Sequence, residues 1–210
     1  MISTYAKCER VSLPKPSHIR ILMMPFLIHN LDTLPLSEEW RGIVHQMKGG
    51  LPLHGIAYLT IDERTVPAGF THRRPGLHVD GWVDDVNDGG WGGGGWGITG
   101  WSTLSSHVGC IAYKQSFKGL PKSFGDCEHL REECKQGEFL EASHIYLMGN
   151  LAVHKSVPIL KETLRQFVRL SFPSEAGWPI SCTPNPLGIK PKKLLPARPE
   201  HFTNYGYEGR

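Results

Sequence analysis

His78-Val79-Asp80 sets an imidazole and a carboxylate two positions apart. In an extended strand successive side chains point to opposite faces, so both would project from one face and could grip a divalent ion together. A third ligand from elsewhere would complete a two-histidine, one-carboxylate facial set, which leaves coordination positions open for substrate and oxygen. In a chain with eleven histidines such a pair arises readily by chance, so alone it decides nothing. The C-terminal third supplies the missing partner. His154 lies in Val153–Pro158, and Arg165 follows eleven positions later at the start of a strand-like run to Phe172. Alternation puts Arg165, Phe167, Arg169 and Ser171 on one face of that run. An arginine inside a small barrel is costly unless it meets an anion, so two on an inward face suggest bound carboxylates. The competing reading turns this face to solvent, and the apolar Val168, Leu170 and Phe172 opposite permit it.

The elements that must position these residues are mostly strands. Ile19–Ile28 is the first candidate, after a Pro-punctuated leader. Ser37 can cap a helix from about Glu38 to Met47, with acidic residues in its first turn and Gly49-Gly50 ending it. Trp40, Ile43, Val44 and Met47 recur at helical spacing and predict an apolar stripe packed on a sheet. Gly55–Val66 reads as a strand with Tyr58 and Thr60 on one face and Leu59 and Ile61 on the other. Asp84–Trp101 intersperses Trp91 and Trp96 with glycines and reads as a long loop, either tucked against the core edge or closing over the site. Gly109–Phe117, Glu138–Leu147, Leu151–Lys155 and Leu164–Phe172 are further strands, the middle two joined by a Met148-Gly149-Asn150 turn. Beyond Pro173 the chain is rich in Pro, Gly and Lys and is expected to wrap the outside or to be a partly mobile tail.

Many short strands, one or two helices and no strand-helix rhythm predict a single mainly-β domain, a sandwich or barrel, with its core over about residues 19–172. The net charge of +3 does not call for a nucleic-acid or membrane partner. No apolar run approaches the roughly 18–20 residues that span a bilayer, and no secretory leader is evident, so cytoplasm is the expectation. Five cysteines without a C-x-x-C pair suit neither a disulfide framework nor a zinc ribbon. Cys127, His129 and Cys134 fall in a charged segment and are read as structural or incidental. His29, His45 and His54 are read the same way. Phosphate-loop, dinucleotide and nucleophile-elbow patterns are missing.

Taken together, His78-Val79-Asp80, then His154, then Arg165, with Arg169-Leu170-Ser171 following, resembles the iron(II)- and 2-oxoglutarate-dependent dioxygenases. The resemblance spans about Gly55 to Phe172. It implies a double-stranded β-helix, or jelly roll, of the cupin-like kind. It implies that His78, Asp80 and His154 bind Fe(II), and that 2-oxoglutarate pairs its far carboxylate with an arginine by a charge-assisted contact. Spacing from His154 favours Arg165 for that role, whereas the R-x-S pattern favours Arg169 with Ser171 assisting. Tyr58 could hydrogen-bond a carboxylate. Trp82, Trp91, Trp96 and Arg74 would face the substrate or its cover. The implied activity couples 2-oxoglutarate decarboxylation and O2 to oxidation, typically hydroxylation, of a small anionic or amino-acid-like molecule. Two other readings stay open: an iron oxygenase that does not use 2-oxoglutarate, and a non-catalytic β-barrel binding module.

Overall fold

A computed structural model of the chain describes residues 1–80, 100–172, 178–179, 182–191 and 194–195. The fold is mainly β, of the sandwich or jelly-roll type. Six antiparallel strands form one sheet in the order β1-β7-β4-β9-β3-β2: Tyr5–Arg10, His144–Gly149, Gly100–Ser105, Thr163–Ser171, Ile56–Val66 and Arg20–Leu27. A facing three-stranded sheet has the order β6-β5-β8: Gly137–Phe139, Cys110–Tyr113 and Val153–Ser156. Trp178–Pro179 (β10) and Leu194–Leu195 (β11) pair in parallel as a separate ribbon. None of the described helices is long and apolar enough to cross a membrane.

Alternation along β3 and β9 separates two chemistries. Leu59 and Ile61 of β3 and Val168 and Leu170 of β9 face outward, where helix α1 (Glu38–Lys48) covers them with Trp40, Ile43, Val44 and Met47. Burying each such side chain is worth about 1.5–3 kcal/mol, which makes this face the apolar core that anchors the six-stranded sheet. Ser37 caps the helix, its hydroxyl accepting from Trp40 N–H at 3.5 Å, and Gly49 ends it with φ of 58°. The opposite face of the same strands carries Tyr58, Thr60, Asp62 and Arg64 on β3 and Arg165, Phe167, Arg169 and Ser171 on β9. That face looks across to the three-stranded sheet. The arginines of β9 therefore point inward, and the solvent-facing reading of them fails because the helix needs the other face.

Three expectations change. Strand β1 forms inside the segment read as a leader, pairing with β7 at the sheet edge. Strand β4 forms at Gly100–Ser105, so Trp101 belongs to a central strand instead of a loop. The turn Met148-Gly149-Asn150 does not make a hairpin: β7 stays in the large sheet with β4, whereas β8 pairs with β5 in the small one. A turn signal specifies a reversal of the chain but not the sheet that receives it. Beyond β9, Thr183 N–H donates to Leu22 carbonyl at 2.7 Å and Asn185 Nδ2 to Pro25 carbonyl at 2.9 Å, so this part of the C-terminal segment lies along the β2 edge. Covering a sheet edge in this way blocks further strand pairing there.

Candidate metal centre

His78 and His154 are direct cross-strand partners. His78 N–H donates to His154 carbonyl and His154 N–H to His78 carbonyl, both at 2.9 Å. In an antiparallel pair of this kind the two side chains leave the same face, and the ring centroids lie 4.2 Å apart. Gly76, at φ of 80°, turns the chain into this pairing. Its carbonyl accepts from His78 Nδ1 at 2.8 Å, and Ala152 carbonyl accepts from His154 Nδ1 at 2.9 Å. A carbonyl can only accept, so both Nδ1 atoms carry the proton and both Nε2 lone pairs are left for another partner. Burial, then the neighbouring His154 and Arg74, holds His78 well below the usual imidazole range. Burial also lowers His154, more than the nearby Asp80 charge raises it. Both shifts favour the neutral ring, the form a metal ligand must take.

Asp80 completes the group. One ligand atom from each of His78, Asp80 and His154 lies within 4.8 Å of the others, and all three residues are buried. This donor set fits a divalent ion of the imidazole- and carboxylate-preferring kind. Among the described residues no other cluster of His, Cys, Asp and Glu has metal-binding geometry, and Cys127, His129 and Cys134 form none.

The group opens into a cavity of about 360 Å³ between the two sheets, lined also by Arg165, Arg169, Arg74, Trp101 and Thr103. Trp101 stands against His154 with ring centroids 5.2 Å apart. The two arginines of β9 meet different fates. Arg169 donates from Nη1 to Asp80 Oδ2 at 2.9 Å. Arg165, 2% exposed, donates from Nε to Ser105 Oγ at 2.9 Å and makes no carboxylate ion pair among the described residues. Its Nη1 is buried without a hydrogen-bond partner. Burial pushes its pKa down to about 10. The guanidinium lies against Gly109, where an added Cβ would come within 2.6 Å of Cζ.

Tyr58 and Ser171 sit opposite each other in the β3–β9 ladder and share the inward face. They do not line the cavity, however. Tyr58 packs instead with Trp101, Tyr146 and Met148, a cluster beyond the metal-ligand end. Trp82, Trp91 and Trp96, the expected cover, lie outside the described residues.

Asp62, Arg64 and Arg73 line the cavity, with His72 buried behind them, and all four went unread in the sequence. Asp62 and Arg64 continue the alternation begun by Tyr58 and Thr60, so extending that rule by four residues along β3 finds them. Arg64 stands directly opposite Arg165. Asp62 Oδ2 lies 3.2 Å from His72 Nε2, 3.4 Å from Arg73 Nη1 and 3.5 Å from Arg64 Nε. His72 and Arg73 come from an irregular segment with no local signal. Burial alone would raise Asp62, but the contact with His72 and the charges of Arg73 and Arg64 outweigh it and hold the carboxyl well below its usual range.

Scans of protein-family models and of curated proteins return no match. Among solved structures the chain is similar to EvdMO1, at 9% identity and a TM-score of 0.40, over 80% of this chain and 38% of that one. The chain thus spans well under half the length of that protein, and a likeness at this level leaves the argument to the site itself.

Proposed function

We propose that the protein is a non-haem iron oxygenase that uses 2-oxoglutarate to oxidise a small anionic substrate. The observation that carries the reading is the coexistence, in one cavity, of two neutral imidazoles with free Nε2 atoms beside Asp80 and a buried Arg165 that no described carboxylate neutralises. The first group suits Fe(II), and the second suits the far carboxylate of a chelating dicarboxylate. Bound there, Fe(II) with O2 would supply the oxidant for a C–H bond, with the balance 2-oxoglutarate + O2 + R–H giving succinate + CO2 + R–OH.

The chain's own part is positioning and exclusion of water. His78 and His154 sit on a backbone-paired bridge, and their Nδ1 bonds to the Gly76 and Ala152 carbonyls orient the rings so that Nε2 faces the cavity. Arg165, held by Ser105 and backed by Gly109, would orient the dicarboxylate along β9. Trp101 shields His154 from one side. A cavity of about 360 Å³ has room for a five-carbon dicarboxylate and part of a small second molecule. Arg64 and Arg73, gathered at Asp62 with Arg20, favour an anionic group on that molecule.

The test is reconstitution of purified protein with Fe(II) under nitrogen, then exposure to O2 and 2-oxoglutarate, with succinate measured. The reading expects about one iron per chain and succinate formation, both lost in His78→Ala and Asp80→Ala. Wild-type protein holding no more iron than those variants overturns the metal site. Iron uptake without 2-oxoglutarate binding favours an oxygenase that draws its electrons from substrate.

A further inference from the structure

The three ligand side chains are not secured in the same way. His78 and His154 are fixed twice, by mutual backbone hydrogen bonds and by Nδ1–H donation to carbonyls of their own strands. Asp80 lies past this pairing: among the described residues the segment's last cross-strand bond is Val79 N–H to Gly125 carbonyl at 2.9 Å, and Asp80 itself sits in a bend. Its side chain is anchored from the opposite sheet instead, by Arg169 on β9 at 2.9 Å, with both residues at most 6% exposed. Arg169 stands between Thr60 and Thr103 in the ladders on either side, with Thr60 Oγ1 committed to Met23 N–H and Thr103 Oγ1 to Val168 carbonyl.

We infer that Arg169 is the positioning residue of the metal centre, a cross-cavity clamp that orients the Asp80 carboxylate, and not a receptor for 2-oxoglutarate. This rests on the metal site proposed above. Partners that orient a ligand commonly govern metal affinity by 10–100-fold. A bidentate-capable guanidinium also fixes a carboxylate in plane better than an ammonium does.

The experiment uses Co(II) as the metal and the full chain, comparing wild type with Arg169→Met, Arg169→Lys and Arg165→Met. Co(II) affinity and the visible absorption spectrum of the Co(II) protein are read first. The affinity for 2-oxoglutarate at saturating Co(II) is read second. The inference expects Arg169→Met to weaken Co(II) by about 10–100-fold and to alter the spectrum, with Arg169→Lys recovering part of both. It expects Arg165→Met to leave Co(II) binding alone and to lose 2-oxoglutarate. Arg169→Gln replaces the Met variant if circular dichroism shows that the latter does not fold. Unchanged Co(II) affinity and spectrum in Arg169→Met, with 2-oxoglutarate binding lost, overturns the inference and makes Arg169 the anion receptor. A wild-type protein that takes up no Co(II) overturns the metal reading and this inference together.

Discussion

The cavity has two ends built on the same pair of strands, and they handle charge in opposite ways. At the metal-ligand end the Asp80 carboxylate is met by the Arg169 guanidinium, and burial holds the histidines beside them below the usual imidazole range although their carbonyl acceptors pull the other way. At the other end Arg165 and Arg64 face each other across β9 and β3, with Arg20 and Arg73 close by, and Asp62 is the carboxylate that ion-pairs with these arginines among the described residues. At the first end a carboxylate and a guanidinium are paired beside two imidazoles. At the second several guanidinium groups gather around Asp62. Arg165 and Arg169 lie four positions apart on one strand, about 13 Å of extended chain, so identical side chains meet different surroundings through what the facing sheet sets against them.

The largest effect expected is at the metal-ligand end. Asp80→Ala removes a ligand and strands the Arg169 charge in a buried site. Unfolding stability in urea should drop by roughly 3–5 kcal/mol, alongside loss of metal uptake. A drop no larger than that of an exposed carboxylate variant would show that the two ends do not differ in charge matching.

A pH dependence comes next and belongs to the cationic end. Burial, opposed only in part by Asp62, lowers His72 to about 4. An unfolded histidine titrates near 6.5, so the unfolded chain takes up this proton first. Stability should therefore fall as pH drops from about 6.5 to 4 and then level off for this group, by on the order of 3 kcal/mol in all. Asp62, depressed below the usual carboxylate range, adds a further loss as pH falls below about 4, when the unfolded carboxylate protonates. Urea titrations at several pH values check this, and His72→Gln should remove the first slope and reduce the second, because the His72 contact is the largest of the influences that depress Asp62.

Arg165→Met separates the ends most directly. With no carboxylate partner to strand among the described residues, the variant should lose no stability and can gain some, because a desolvated cation is replaced by an apolar chain of similar length. Binding of 2-oxoglutarate, followed calorimetrically on metal-loaded protein, should weaken by about 100-fold or more. A clear loss of stability in this variant would mean that Arg165 is already neutralised in the resting protein. The smallest effect expected is that of Gly109→Ala, whose new methyl would displace the Arg165 guanidinium. About a tenfold weaker 2-oxoglutarate affinity with unchanged metal affinity is the expected result. Equal loss of both would indicate a general disturbance of the small sheet.

Much of this was legible in the sequence where one rule operated locally. Period-two alternation sorted β3 and β9 into an apolar face and a polar face, and helical spacing found the stripe of α1 that covers the first. The H-x-D pair and the distal His154 were found by type and order alone. Strand β1 was missed because a short edge strand with one buried residue has little pattern to see. Strand β4 was missed because its N-terminal neighbours are glycine-rich, although its own five residues after Gly100 are nearly all buried.

What the sequence determined by itself was which side chains share a face, because the pleat of a strand is a property of the chain within a few residues. That was enough to put Arg165 and Arg169 together, and it left their roles open. Only the tertiary structure sets them in different surroundings. The stacking of the two sheets sets Asp80 against Arg169 and Gly109 against Arg165, and those meetings join positions 89 and 56 residues apart in the chain. No local period carries information over such a span. The charge each guanidinium meets is fixed by the fold that faces it.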